Sequence, residues 1–138
     1  MPPARKLVAD TIGSAGRAAR MVEQRTGILL GVRVARTLYG RWRRMSVVAR
    51  AQLEPLAEEV KGRALDLRGA SDRDAAAQDL EKAGERLAAA MVESAESDPD
   101  ISEHEVSRLR SDLAMELDRL ASAEIRVERG GVGNSPLR

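Results

Sequence analysis

The feature of this sequence that most constrains its fold is the near absence of aromatic side chains. The chain of 138 residues contains no Phe, one Trp and one Tyr. Its apolar side chains are mainly Ala, Leu and Val, which fill thin layers between closely packed helices. A β-sandwich or a wound parallel sheet needs more aromatic and β-branched side chains in its strands. With charged residues at 33%, the composition predicts an all-α protein with coiled-coil-like packing.

The length and the absence of Cys bound the class of protein further. A chain of 138 residues is long enough for one modest hydrophobic core but not for two. Without Cys the chain forms no disulfide and offers no thiolate ligand, which fits a reducing cytoplasm. We see no secretory signal, and arginines interrupt the most apolar window, Ile28–Val48. We therefore expect a cytoplasmic protein, with a peripheral position on a membrane as the alternative.

Apolar residues recur at helical spacing along most of the chain. The pattern predicts a first helix over residues 4–25 and a break after it at Gly27. Pro55 predicts a kink or boundary, because the residue before a proline resists the helical conformation. A short helix over residues 56–68 is then expected, with Gly69 at its C-terminal cap.

The C-terminal half of the chain has the clearest helical pattern. Ser71–Asp74 resembles a capping box with Asp in place of Glu, and Ser102–Glu105 is a second capping box. The turn Ser97–Asp100 separates the two helices, which are expected to form an antiparallel hairpin. Their apolar faces consist of Ala76, Leu80, Ala83, Leu87 and Ala90 in one helix, and of Val106, Leu109, Leu113, Leu117 and Leu120 in the other. The stretch Gly130–Pro136 has no period and predicts a disordered tail.

Charge divides the chain into a basic and an acidic part. Residues 1–53 carry eleven Lys or Arg and two acidic residues, a net charge of +9. Residues 54–128 carry ten Lys or Arg and twenty acidic residues, a net charge of −10. We accordingly expect a basic amphipathic segment (1–54), an acidic helical region with the hairpin (55–129) and a flexible tail (130–138). The two charged parts attract one another within a chain or between chains.

The segment Ile28–Arg50 combines an apolar and a cationic side in one predicted helix. At about 100° per residue the apolar residues cover half of the circumference and the arginines cover the rest. The only Trp and the only Tyr of the chain lie on the apolar side. The candidate interaction residues are Ile28, Val32, Leu38, Tyr39, Trp42 and Met45 on the apolar side, and Arg33, Arg36, Arg41, Arg43 and Arg44 on the cationic side.

Several partners suit such a helix. Its apolar side can pack on a partner protein or on the chain's own acidic hairpin, as most amphipathic helices of globular proteins do. It can instead enter a membrane or granule surface, where Trp and Tyr favour the interface and arginines meet anionic head groups. Nucleic acid is the less favoured partner, because the acidic part repels a polyanion and no helix-turn-helix or zinc-finger signature occurs. We expect a protein partner or self-association first.

No motif in the sequence points to catalysis, a metal or a cofactor. His104 is the only histidine, and His104–Arg108 lacks the second His of the zinc-binding H-E-x-x-H motif. The stretch that begins at Asp98 fails as a calcium loop, since Glu103 replaces the required Gly and Leu109 the required Glu. Glycine motifs for nucleotides are also missing. We therefore expect a protein that is not an enzyme, without catalytic, metal-ligating or cofactor-binding residues.

Overall fold

The chain folds into long helices joined by short turns. The structure is a computed structural model that describes the backbone of residues 2–132 and the side chains of residues 16–130. Within these residues it contains four helices and no strand, which confirms the predicted all-α class. The helices are α1 (Pro2–Arg43), α2 (Val47–Gly69), α3 (Arg73–Glu96) and α4 (Glu103–Val132).

The four helices form an antiparallel bundle. The connections cover residues 44–46, 70–72 and 97–102 only, and such short links place consecutive helices side by side in opposite directions. The chain also closes on itself, because α4 packs along α1. Ion pairs near both ends of that contact, Arg41–Asp112 at 3.4 Å and Arg129–Glu23 at 3.7 Å, show that α4 runs antiparallel to α1. α1 and α3 also touch across the bundle, with α2 and α4 on either side of them.

Small aliphatic side chains fill the core between these helices, as the composition predicts. The largest fully buried side chains are Leu38, Leu67, Leu80, Leu87, Met91, Leu113, Leu120, Val34, Val60 and Val127. Buried alanines from every helix fill the space between them. Because most of these side chains are aliphatic and many are alanines, the helices can approach closely, and Trp42 is the one aromatic residue among the buried residues described.

The prediction of a helix break at Gly27 is wrong, since α1 continues through it to Arg43. Gly27 is instead a point of close approach between α1 and α4. A Cβ at this position would lie 2.8 Å from the carbonyl oxygen of Ala123 and 2.8 Å from the backbone nitrogen of Val127. Glycine lowers helix propensity by about 1 kcal/mol relative to Ala, and the packing against α4 offsets that cost.

The predicted single helix over Ile28–Arg50 is also wrong, because it is divided by a turn. α1 ends at Arg43, and the hydroxyl of Ser46 accepts a hydrogen bond at 3.2 Å from the backbone N–H of Ala49. Ser46 is therefore the N-cap of α2, and a Ser at this position satisfies a backbone donor that the helix leaves free.

Pro55 does not end α2, so the boundary that was predicted there as the alternative to a kink is wrong. The helix runs from Val47 to Gly69 with Pro55 inside it. Proline offers no N–H to the carbonyl of Ala51, one turn earlier. Both residues are exposed, so water can satisfy that carbonyl and the helix continues.

The predicted antiparallel hairpin is confirmed by α3 and α4. Asp72, rather than Ser71, caps α3 by accepting a hydrogen bond at 3.1 Å from the N–H of Ala75. The hydroxyl of Ser102 accepts one at 3.2 Å from the N–H of Glu105 at the start of α4. α4 continues to Val132, so residues 130–132 of the predicted tail are helical. Residues 133–138 lie outside the described residues.

Candidate interaction surface on helix α1

The apolar side of α1 faces the chain's own bundle. Leu38 is 0% exposed and Trp42 is 7% exposed, and both belong to the hydrophobic core. The other apolar candidates are half-buried. Ile28, Tyr39 and Met45, the last in the turn after α1, pack against this core, and Val32 lines a depression between α1 and α2. In the folded bundle these side chains therefore hold α1 against its neighbours.

Tyr39 and Trp42 join α1 to α2. Their ring centres lie 5.0 Å apart with the ring planes tilted by 55°. The indole N–H of Trp42 donates to the carbonyl oxygen of Arg50 at 3.2 Å, and the Tyr39 hydroxyl donates to Oε1 of Glu58 at 2.9 Å. The bond to Glu58 is the main reason why the pKa of Tyr39 is raised, with burial as the second cause. Both polar groups thus find partners on α2.

The arginines of α1 lie mostly on the opposite, exposed side. Among the five predicted arginines, only Arg41 forms an ion pair with the acidic hairpin, through Asp112 on α4. The other four are exposed and form no ion pair with the residues that the structure describes. The basic face of α1 is defined as these four arginines, of which Arg44 is the first residue after the helix, and one arginine two turns before Arg33: Arg25, Arg33, Arg36, Arg43 and Arg44.

Exposed apolar side chains accompany the basic face. Met21 is 65% exposed, Val22 is 64% exposed and Leu29 is 63% exposed. None of these three, nor Arg25, is among the candidate residues predicted from the sequence. A helix break at Gly27 would place the two segments in separate helices with unrelated faces. Continuing the helical period through that glycine places the side chains before and after it on one surface.

A groove with cationic walls lies along α1 and consists of two depressions that share Arg68, the first against α2 and the second against Arg68 and Arg73, the first residue of α3. Its first part, about 220 Å³, has an apolar floor and is bordered by Arg36, Lys61 and Arg68. Its second part, about 250 Å³, shares Arg68 and adds Arg25 and Arg73. The floor consists of Met21, Ile28, Val32, Ala35, Tyr39, Ala64 and Leu65, together with Gln24. No acidic side chain lines either part, and we call the two together the cationic groove.

Two of the cations that border the cationic groove make contacts with α1. Nζ of Lys61 lies 5.6 Å from the centre of the Tyr39 ring, so its charge sits over the aromatic face. At the other end, Nη1 of Arg73 donates to Oε1 of Gln24 at 3.3 Å and links the start of α3 to α1. The groove therefore keeps its cations beside an apolar floor.

The acidic residues lie on other parts of the bundle. A larger cavity of about 760 Å³ between α2 and α3 is bordered by Glu93, Asp98 and Asp100 and by no cation. Glu81 of α3 meets Glu124 of α4, and the hydrogen bond between them, with burial, raises the pKa of Glu81 to about 7. The bundle thus has a basic surface along α1 and the adjoining cations of α2 and α3, and acidic groups gather at these two other places.

The described residues contain no cluster of three or more acidic, His or Cys side chains that could hold a metal ion. His104 is exposed in the first turn of α4. Within the described part of the chain, none of the helices combines the length and the apolar character that a bilayer span requires.

Comparisons of the chain with protein-family models, with curated proteins and with solved structures find no match. The basic face of α1 and the cationic groove are therefore the features from which a function is inferred.

Proposed function

We propose that this protein is a non-catalytic helical binding protein that presents the basic face of α1 to an acidic protein partner. The observation that carries this proposal is the division of α1 into two sides. Leu38 and Trp42 are buried in the chain's own core, whereas Arg33, Arg36 and Arg43 are exposed. The surface offered to another molecule is therefore cationic.

The mixture of side chains on this surface favours a protein partner over nucleic acid. Leu29, with 63% exposure, stands between Arg25 and Arg33 on the same exposed side of α1. Protein interfaces combine apolar side chains with Arg, which is enriched there. Nucleic-acid phosphates need the cations alone, so the exposed Leu would have no role.

The rest of the molecule supports one orientation of binding. α2, α3 and α4 all pack against α1, so the arginines project from a supported helix. Residues 54–128, which have a net charge of −10, repel an acidic partner from the other sides. Such an arrangement steers association toward the basic face.

An anionic membrane surface is the second candidate. The observation that favours it is the exposure of Met21 and Val22, at 65% and 64%, beside Arg25. Apolar side chains next to cations are typical of helices that lie on anionic lipid. This contact would use the outer side of α1, and the buried Trp42 would take no part.

Site-specific photo-cross-linking in the cells that normally express the chain tests the proposal. A photoreactive amino acid replaces Leu29 in one variant and Gln78, exposed on α3, in the control. We expect a covalent product with an acidic protein from position 29 and not from position 78. The product should weaken when Arg33 and Arg36 are changed to Gln. A cross-link to the acidic helices of a second copy of this chain also supports the proposal, and it identifies the chain itself as the partner.

The competing partners give different outcomes in that experiment. A product with RNA, DNA or lipid from position 29 overturns the proposal in favour of that partner. Equal products from both positions, or none from either, also overturn it. Purified protein is then mixed with a DNA duplex and with anionic phospholipid vesicles over a range of salt concentrations, because phosphate binding weakens steeply as salt rises.

A further inference from the structure

We propose that the cationic groove along α1 receives an acidic amphipathic helix of the partner. This inference rests on the proposed function and names the site and the shape of the partner segment. Three properties of the groove support it: its length, its charge and its apolar floor.

The length of the groove matches several turns of a helix. The α2 residues that line it run from Lys61 to Arg68, and the α1 residues of its two parts together run from Met21 to Tyr39. At about 1.5 Å per residue this distance is about 27 Å, which is five helical turns or about 18 residues. A helix laid along the groove would therefore contact both parts of it.

The charge of the groove selects an acidic occupant. Arg25, Arg36, Lys61, Arg68 and Arg73 border it, and no acidic side chain does. Carboxylates along both flanks of an incoming helix would meet these cations. Single exposed ion pairs contribute little to affinity. The row of positive charges instead determines mainly the specificity for an acidic partner and the rate of association.

The floor of the groove explains why the occupant is amphipathic. Ala35 of α1 and Ala64 of α2 are small and leave room between the helices. Leu65 is 59% exposed beside them, so its side chain is free to contact a bound leucine. Helix-in-groove recognition uses such apolar anchors at every third and fourth position of the bound helix.

Other polyanions fit this groove less well. A flat membrane meets the ridges of α1 and α2 and leaves the buried part of the floor, at Ala35 and Ala64, uncovered. A single nucleic-acid strand gains affinity by stacking bases on aromatic faces. Within the described lining the only aromatic ring is that of Tyr39, and Lys61 lies over it.

The test measures binding of a designed peptide by fluorescence anisotropy. The probe is a labelled helical peptide of about 18 residues, with leucines on one face and glutamates on both flanks. We expect saturable binding to the wild-type chain and about tenfold weaker binding to the groove variant Arg36→Gln/Lys61→Gln/Arg68→Gln. The control Lys82→Gln/Arg108→Gln/Arg126→Gln removes the same charge from exposed positions of α3 and α4 and should bind as the wild type does.

A second groove variant addresses the floor. Leu65→Glu introduces a negative charge beside the expected position of the leucines, and should also weaken peptide binding about tenfold. Because Leu65 is 59% exposed, this change should leave the bundle folded. Circular dichroism and the melting temperature of each variant test whether it is folded.

The outcomes distinguish a failure of the groove proposal from a failure of the proposed function. The variant Arg33→Gln/Arg43→Gln/Arg44→Gln keeps the groove and removes other arginines of the basic face. If it loses as much affinity as the groove variant, the groove proposal is overturned while the proposed function stands. No saturable peptide binding, or tighter binding of a single-stranded oligonucleotide or of anionic vesicles, also overturns the groove proposal. A failed cross-link from position 29 with intact peptide binding instead counts against the proposed function.

Discussion

Glu81 and Glu124 bring two carboxyl groups together where α3 packs on α4. A hydrogen bond between them requires a proton, so Glu81 holds its proton more tightly in the folded chain than an exposed glutamate does. This effect raises its pKa from 4.5 to about 7, while a contact with Glu85 acts in the opposite direction. The pair therefore makes the stability of the bundle depend on pH.

We predict that the replacement Glu81→Gln stabilises the folded chain at pH 8 but not at pH 4. The folded pKa lies above the unfolded value, so the stabilising contribution of Glu81 is fully present below about pH 4.5. It is lost as the pH rises through about 7, because the proton then leaves and two carboxylates face one another. Gln keeps a donor without gaining a charge.

Melting temperatures of the wild type and of Glu81→Gln, measured from pH 4 to pH 8, check this prediction. The difference between the two proteins should grow as the pH rises, since all other titrating groups are shared. A difference that stays constant over this range contradicts the shared proton.

At the scale of the helix, α1 packs close to α4 at Gly27, where any larger residue would meet the backbone of α4. Its 42 residues form one continuous helix, although Gly27 and Gly40 both lower its propensity. The two glycines differ in their surroundings. A Cβ at Gly27 would press on the backbone of α4, whereas a Cβ at Gly40 would meet nothing within 4 Å.

We predict opposite effects of alanine at these two positions. Gly40→Ala should stabilise the protein by about 1 kcal/mol, because Ala is the better helix former. Gly27→Ala should destabilise it by about 1–3 kcal/mol, because the backbone atoms of Ala123 and Val127 must move apart. Urea denaturation followed by circular dichroism gives both free energies of unfolding. Equal stabilisation by both changes would show that α1 and α4 are not in close contact.

At the scale of the whole molecule, the sequence divides into a basic and an acidic part that remain largely separate in the bundle. The net charge of the chain is only +1, yet residues 1–53 carry +9 and residues 54–128 carry −10. Folding does not pair most of these charges with one another. Among the arginines predicted to interact, Arg41 alone reaches an acidic residue within the described part of the chain.

We predict that Trp42 stays inside the bundle when anionic vesicles are added. It is 7% exposed and its indole N–H is bonded to Arg50, so entry into lipid would require α1 to leave α2. Vesicles that contain brominated acyl chains quench a tryptophan that enters the bilayer. We expect no quenching of the Trp42 fluorescence at any lipid concentration, even if the protein sediments with the vesicles. Quenching would show that the bundle opens and that the apolar side of α1 meets the lipid.

The sequence alone is sufficient to predict the helical class, the α3–α4 hairpin and the apolar side of α1. Helical periodicity and caps such as Ser102 depend on residues close to one another along the chain, and local physics determines them. The continuity of α1 through Gly27 and of α2 through Pro55 was missed. In both cases the local preference for a break is offset, at Gly27 by packing on α4 and at Pro55 by exposure to water.

The candidate site shows the same division. The sequence alone predicts the arginines and the two aromatic residues as candidate interaction residues, because amphipathic spacing within one helix reveals them. Only the tertiary structure decided that Trp42 is buried and that Arg36 of α1 borders one groove with Lys61 and Arg68 of α2. The packing of the helices determines which residues of separate helices share a surface. A pattern within one helix does not predict that packing.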